Sequence, residues 1–207
     1  MLTKASRAQT LLGTSLLTAL LAVAPLAAHA HTGPHAMAMV DMAASQHASL
    51  GALLAGVLHP FSGWDHWAAA LLVGAWGAVT LPRSRAWVAP LVFTAVLAVG
   101  AWASLSLNQL TPLATLVEPM IVASVLAFSA LLAWRPAVGM GTVAMLVGCF
   151  AVFHGMAHGQ ELAGHGQPGI STCGVVLGTG LLHGLGVVMA RRFTAAKHTL
   201  ARLTSRR

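Results

Sequence analysis

From Ala86 to Gln160 the chain carries only two formally charged side chains, Glu118 and Arg135. Helices as apolar as these cannot present a hydrated outer face, so they suit lipid as solvent rather than a soluble core. The rest of the chain agrees: 57% hydrophobic and 7% charged residues leave too little polar sequence for a separate water-facing domain. The expected fold class is therefore all-α, a polytopic integral membrane helix bundle forming a single domain.

Residues 1–30 read as a secretory signal peptide. Lys4 and Arg7 form a basic start, an apolar run follows from Leu11 to Leu26, and Ala28-His29-Ala30 supplies small residues for cleavage. Cleavage there makes His31 the new N-terminus and starts a short periplasmic tail, 31–43. The membrane domain is expected over 44–192, with a basic cytoplasmic tail over 193–207. Six apolar segments fall roughly at 45–58, 63–81, 86–107, 113–133, 137–158 and 171–191, punctuated by Pro82, Pro112, Pro136 and Pro168.

Six segments need not make six crossings, because 45–58 is shorter than the ~20 residues a span requires. If the first two segments crossed separately, Arg83, Arg85, Arg135 and the basic tail would lie outside, against the positive-inside rule. If 45–81 makes one net crossing, broken or re-entrant around His59-Pro60-Phe61-Ser62-Gly63, every remaining Lys and Arg faces the cytoplasm. Five net crossings of a bacterial inner membrane follow, N-terminus periplasmic and C-terminus cytoplasmic.

Against this apolar background two clusters stand out, HPFSGWDH at 59–66 and FHGMAHGQE at 153–161. They hold two of the four acidic residues, Asp65 and Glu161, beside His59, His66, His154 and His158. Ionisable groups at membrane depth are costly and mark ion or proton paths. His154, His158 and Glu161 stand at i, i+4 and i+7, so they share one helix face while the helix lasts. Asp65 and His66 are adjacent and are expected to point apart on a helix, with His59 able to turn back toward either. Imidazole nitrogen with carboxylate oxygen suits borderline divalent ions such as nickel, cobalt or zinc.

Other residues have plainer readings. His183 serves packing or ligation with equal justification. After cleavage the free amine and imidazole of His31 could chelate an ion, with His35 and His47 nearby; an ordinary mobile tail is the competing reading. Glu118 and the tryptophans Trp64 and Trp67 suit membrane interfaces. Cys149 and Cys173 read as small buried hydrophobes at different depths, without a disulfide. Gly174 with Gly178, and Gly180 with Gly184, have the spacing that lets helices approach closely, within the bundle or in a homo-oligomer. The basic tail suits anionic inner-leaflet lipid, and no nucleic acid is expected.

His59, then Asp65-His66, followed by Phe153-His154-Gly155-Met156-Ala157-His158-Gly159-Gln160-Glu161, resembles the paired signature of the HupE/UreJ family of nickel permeases associated with hydrogenase and urease gene clusters. The resemblance implies secondary transport of nickel into the cytoplasm, with these six motif residues needed for uptake. Cobalt or zinc remain alternative cargo. It implies no enzyme activity and no permanent cofactor; its partners are the bilayer and the ion, with nickel-enzyme maturation proteins as further candidates. No ATP is required, since a divalent cation moving inward gains about 4.6 kcal/mol per 100 mV. The chain also lacks a phosphate-binding G-x-x-x-x-G-K loop. Three rival classes are a haem-ligating electron carrier, to which Asp65 and Glu161 are superfluous, a membrane metalloenzyme, for which the sequence identifies no substrate pocket, and a membrane metal-binding assembly factor for a nickel enzyme.

Overall fold

The computed structural model describes residues 48–107 and 111–205. The expected signal peptide and N-terminal tail, including His31, His35 and His47, lie outside the described residues. Seven helices follow in order: α1 Ala48–Ser62, α2 Trp64–Thr80, α3 Val88–Leu107, the single turn α4 Thr111–Ala114, α5 Val117–Trp134, α6 Met140–Leu162 and α7 Pro168–Thr204. Among the described residues there is no strand, as expected where no water is available to satisfy an open sheet edge.

Four stretches are long and apolar enough to cross a membrane: Arg83–Ser106, Val117–Trp134, Met140–Leu162 and Pro168–Thr204. Their outer faces carry large apolar side chains, among them Leu91, Val99, Trp134 and Leu181, each more than half exposed. That surface fits acyl chains and would aggregate in water. Helix α1 is apolar but has 15 residues, about 22 Å at 1.5 Å per residue, short of a ~30 Å hydrocarbon core.

The break between the first two segments is narrower than the sequence suggested. Helix α1 continues through His59 and Pro60 to Ser62, and only Gly63 is extended, at φ −99° and ψ 118°. Proline costs one hydrogen bond in the last turn, yet its fixed φ is already helical, so the helix need not end there. Helices α1 and α2 hardly touch each other, and each lies on its own stretch of α7. A side chain at Gly56 would strike the backbone of Ser171 and Gly174, while one at Gly74 would strike His183. The pair therefore runs along α7 in succession.

Helix α6 is held on two sides. Gly155 and Gly159 sit against Leu97, Ala101 and Ser104 of α3, where a Cβ at Gly159 would come within 2.6 Å of Ser104 Cβ. On the other side α5 runs antiparallel to α6, pairing Phe128 with Phe150 at 5.5 Å and Ser124 with His154. The apolar core fills the space between these elements with Trp76, Phe93, Leu97, Phe128, Val143 and Val147.

Helix α7 does not stop near residue 191 but runs 37 residues to Thr204, about 55 Å, well beyond a ~30 Å hydrocarbon core. Nothing between Arg192 and Thr204 breaks a helix. Near this projecting end, Arg191 Nη2 donates to the carbonyl of Arg83 at 3.2 Å, so the α2–α3 turn and the basic tail lie side by side. Two smaller readings are corrected or refined. Cys149 and Cys173 are free thiols as expected, but both are exposed on the bundle exterior rather than buried; in a lipid-facing helix the outer surface is itself apolar. Gly174 and Gly178 pack against Leu53 and Val57 of α1, whereas Gly180 meets nothing within 4 Å.

Candidate metal site

The motif FHGMAHG encodes two stripes on α6. Glycines 155 and 159 form one, pressed against α3. Histidines 154 and 158, one residue back and thus rotated by a little over a quarter turn, form the other and face the interior. Close approach of the α3 backbone thereby fixes which way the imidazoles point. Because α6 lasts to Leu162, Glu161 remains on the histidine face, as its spacing requires.

The second motif comes to the same place from the other side. In α2, Asp65 and His66 are buried. They do not point apart. Asp65 Oδ1 accepts a hydrogen bond from His66 N at 2.8 Å and lies 2.8 Å from His66 Nδ1. The helix periodicity that separates neighbours is overridden in the first turn, where free backbone N–H groups draw a carboxylate back onto the chain. Gly63 makes this fold-back feasible, since a Cβ there would lie 2.9 Å from Asp65 Oδ1 and 3.0 Å from His66 Nδ1.

All six motif residues converge. His59 Nε2 donates to Glu161 Oε2 at 2.6 Å, and His158 Nδ1 lies 3.6 Å from the same oxygen. Ring centroids of His59 and His158 are 5.1 Å apart, of His158 and His66 4.6 Å, and of His66 and His154 5.4 Å. The imidazoles thus form one contiguous chain, from half-buried His59 and Glu161 to fully buried His154. One ligand atom each from His59, His158 and Glu161 lies within 4.8 Å of the others. Ligands at about 2.1 Å from a divalent ion are some 3.4 Å apart in a tetrahedron, so modest side-chain rotation would close the three onto one ion.

Hydrogen bonding also selects which ring nitrogen keeps its lone pair. A carboxylate only accepts, so His66 donates from Nδ1 to Asp65 and its Nε2 is the unprotonated nitrogen. Ser124, on α5, donates to the Ile121 carbonyl at 2.6 Å and accepts from His154 Nε2 at 3.0 Å. That leaves Nδ1 of His154 with the lone pair. The sequence reading missed Ser124. A serine in an apolar helix carries no motif, and only the antiparallel packing of α5 on α6 reveals it.

His183 stands apart from the six. It is fully buried, donates from Nδ1 to the Ala70 carbonyl at 2.9 Å, and meets the Phe93 ring edge-on at 5.0 Å. Phe93 also meets His154 at 5.1 Å, so one aromatic ring touches both His183 and the cluster. Glu118 is exposed in the first turn of α5, where an interfacial residue belongs. Trp67 is exposed as well, while Trp64 packs partly buried against the core.

A bundle of lipid-compatible helices enclosing a chain of imidazoles with two carboxylates defines a class of polytopic membrane proteins with an internal cluster of potential cation ligands. Residues 17–206 match the family described as HupE / UreJ protein, and the chain belongs to that family. It is similar to Protein HupE of Rhizobium leguminosarum bv. viciae, with 34% identity over 180 residues, covering 86% of this chain and 84% of the relative. No solved structure matches the chain.

Proposed function

We propose that the protein is a secondary permease that carries a divalent transition metal, nickel foremost, into the cytoplasm. The observation that carries this reading is the convergence of His59, Asp65, His66, His154, His158 and Glu161 into one cluster from two motifs about ninety residues apart in sequence. Its donors are of the borderline kind that nickel, cobalt and zinc accept. His59, His158 and Glu161 receive the ion at the wetter end. His66 and His154 take it deeper, with Asp65 and Ser124 holding their rings. Neutral imidazoles replace part of the hydration shell, and the carboxylates offset the cost of bringing a double charge into an apolar bundle.

Direction follows from charge. Arg83 and the basic end of α7 lie side by side, and the positive-inside rule assigns that end to the cytoplasm. Glu161, at the far end of α6, then faces the periplasm. The succession of α1 and α2 along α7 supports a single broken crossing and hence five net crossings after a cleaved signal peptide. A haem carrier fits less well, since the imidazole rings touch edge to face and no porphyrin plane fits between them as placed. Initial rates of radioactive nickel uptake into cells without other nickel importers test the reading. The parent chain takes up nickel, and membrane-inserted His59→Ala and His158→Ala variants lose at least nine-tenths of it. A correctly inserted parent that moves no nickel, cobalt or zinc refutes transport, and nickel binding without flux would point to an assembly factor.

A further inference from the structure

Inward of the cluster, α7 carries a further buried imidazole, His183. His183 is fully buried, and its Nδ1–H is committed to the Ala70 carbonyl, which leaves Nε2 as the lone-pair nitrogen. Among the described residues Nε2 has no hydrogen-bond partner, and neither does Thr179 Oγ1 one helical turn earlier on the same face of α7. Buried polar atoms are nearly always paired, and leaving one unpaired costs about 1–3 kcal/mol. Two on one face of a tightly packed helix are therefore retained against a penalty. Packing alone does not account for them. A leucine or valine would fill the same space in an apolar core without an orphaned atom.

Their place in the fold gives the reason. Phe93 meets both His154 and His183, at 5.1 and 5.0 Å between ring centroids. The two imidazoles thus border the same aromatic ring. Since α6 and α7 are antiparallel neighbours joined by a short loop, His183, well along α7, lies deeper than His154.

We propose that His183 is a second metal station, a single-imidazole inner site that accepts a partly hydrated divalent cation from His154 past Phe93, with Thr179 supplying a hydroxyl oxygen. This rests on the permease reading and extends it: a cluster rich in imidazole captures the ion, and a poorer site of weak affinity releases it. Conduction requires binding strong enough to admit the ion yet weak enough, or spread over enough sites, to release it.

Two isosteric substitutions separate a station from a structural role. His183→Asn keeps an amide nitrogen where Nδ1 stands, so it retains the bond to Ala70 and deletes the Nε2 ligand. His183→Gln places its amide where Nε2 stands and gives up the Ala70 bond. Nickel uptake is measured in proteoliposomes with an inside-negative potential, and nickel binding by equilibrium dialysis of the same detergent-purified proteins. For a station, His183→Asn lowers the initial rate at least fivefold, while binding at the outer cluster stays within twofold of wild type and thermal stability is kept. His183→Gln retains more flux than His183→Asn. A merely structural histidine gives the reverse order, with His183→Asn transporting within fivefold of wild type, and that result overturns the proposal. Wild-type protein that binds nickel but moves none would overturn the permease reading and this one with it, whereas wild-type flux with an unaffected His183→Asn overturns this one alone.

Discussion

Asp65 provides the sharpest test of how the cluster works, because its carboxylate orients His66 through two hydrogen bonds to one oxygen, both 2.8 Å long. Asparagine at this position still offers a carbonyl oxygen to both donors. The Asp65→Asn variant therefore preserves geometry and removes the negative charge that lowers the cost of a nearby cation. Losing such an outer partner of a metal-binding histidine typically weakens metal affinity about 10- to 100-fold, or roughly 1.4–2.8 kcal/mol. Asp65→Ala removes the acceptor as well and strands the buried Nδ1–H, adding about 1–3 kcal/mol of destabilisation. Nickel affinity by competition with a chelating dye, paired with thermal unfolding in detergent, separates the two. The expected result is a similar melting temperature but at least tenfold weaker binding for Asp65→Asn, and both losses for Asp65→Ala. If Asp65→Asn binds nickel within twofold of wild type, the carboxylate charge does not aid cation binding and the assigned role is wrong.

Ser124→Ala leaves the His154 Nε2–H without its acceptor in a fully buried site; the ring is free to change tautomer, and nickel uptake falls severalfold with about 1–3 kcal/mol lost in stability. Gly155→Ala and Gly159→Ala push a methyl into α3, where the nearest non-flexible atoms include Ala101 N at 2.9 Å from the Gly155 position, whereas Gly139→Ala and Gly141→Ala meet nothing within 4 Å. The first pair lowers the folded yield and melting temperature by an overpacking cost of about 1–3 kcal/mol each, and the second pair leaves both unchanged. Nickel binding strengthens as pH rises and weakens on acidification, because imidazole ligands must be neutral and carboxylates ionised. Glu161→Gln weakens nickel binding at every pH, as read by binding titrations across pH 5 to 8, because it removes a charged oxygen ligand.

The length and apolar character of four spans, the shortness of the first segment and the alignment of His154, His158 and Glu161 on one face are all local properties. Each depends only on residue type and helical periodicity, and so the sequence carries them without knowledge of any partner element. The precise break was less legible, since Pro60 looks like a stop yet only Gly63 leaves helical geometry. Adjacency rules for a regular helix also misjudged Asp65 and His66, which meet because a first turn offers unbonded N–H groups.

What periodicity could not supply is distance between elements. That the two motifs form one cluster, that Ser124 rather than a motif residue holds His154, and that Phe93 touches both His154 and His183 all depend on how α1, α2, α3, α5, α6 and α7 pack. Helix contacts in an apolar medium are selected by close approach at small residues, and the orientation of His154 and His158 follows from the glycines that face α3. Residue identity set the ligands that this chain can offer. Only the tertiary packing decided which of them lie together.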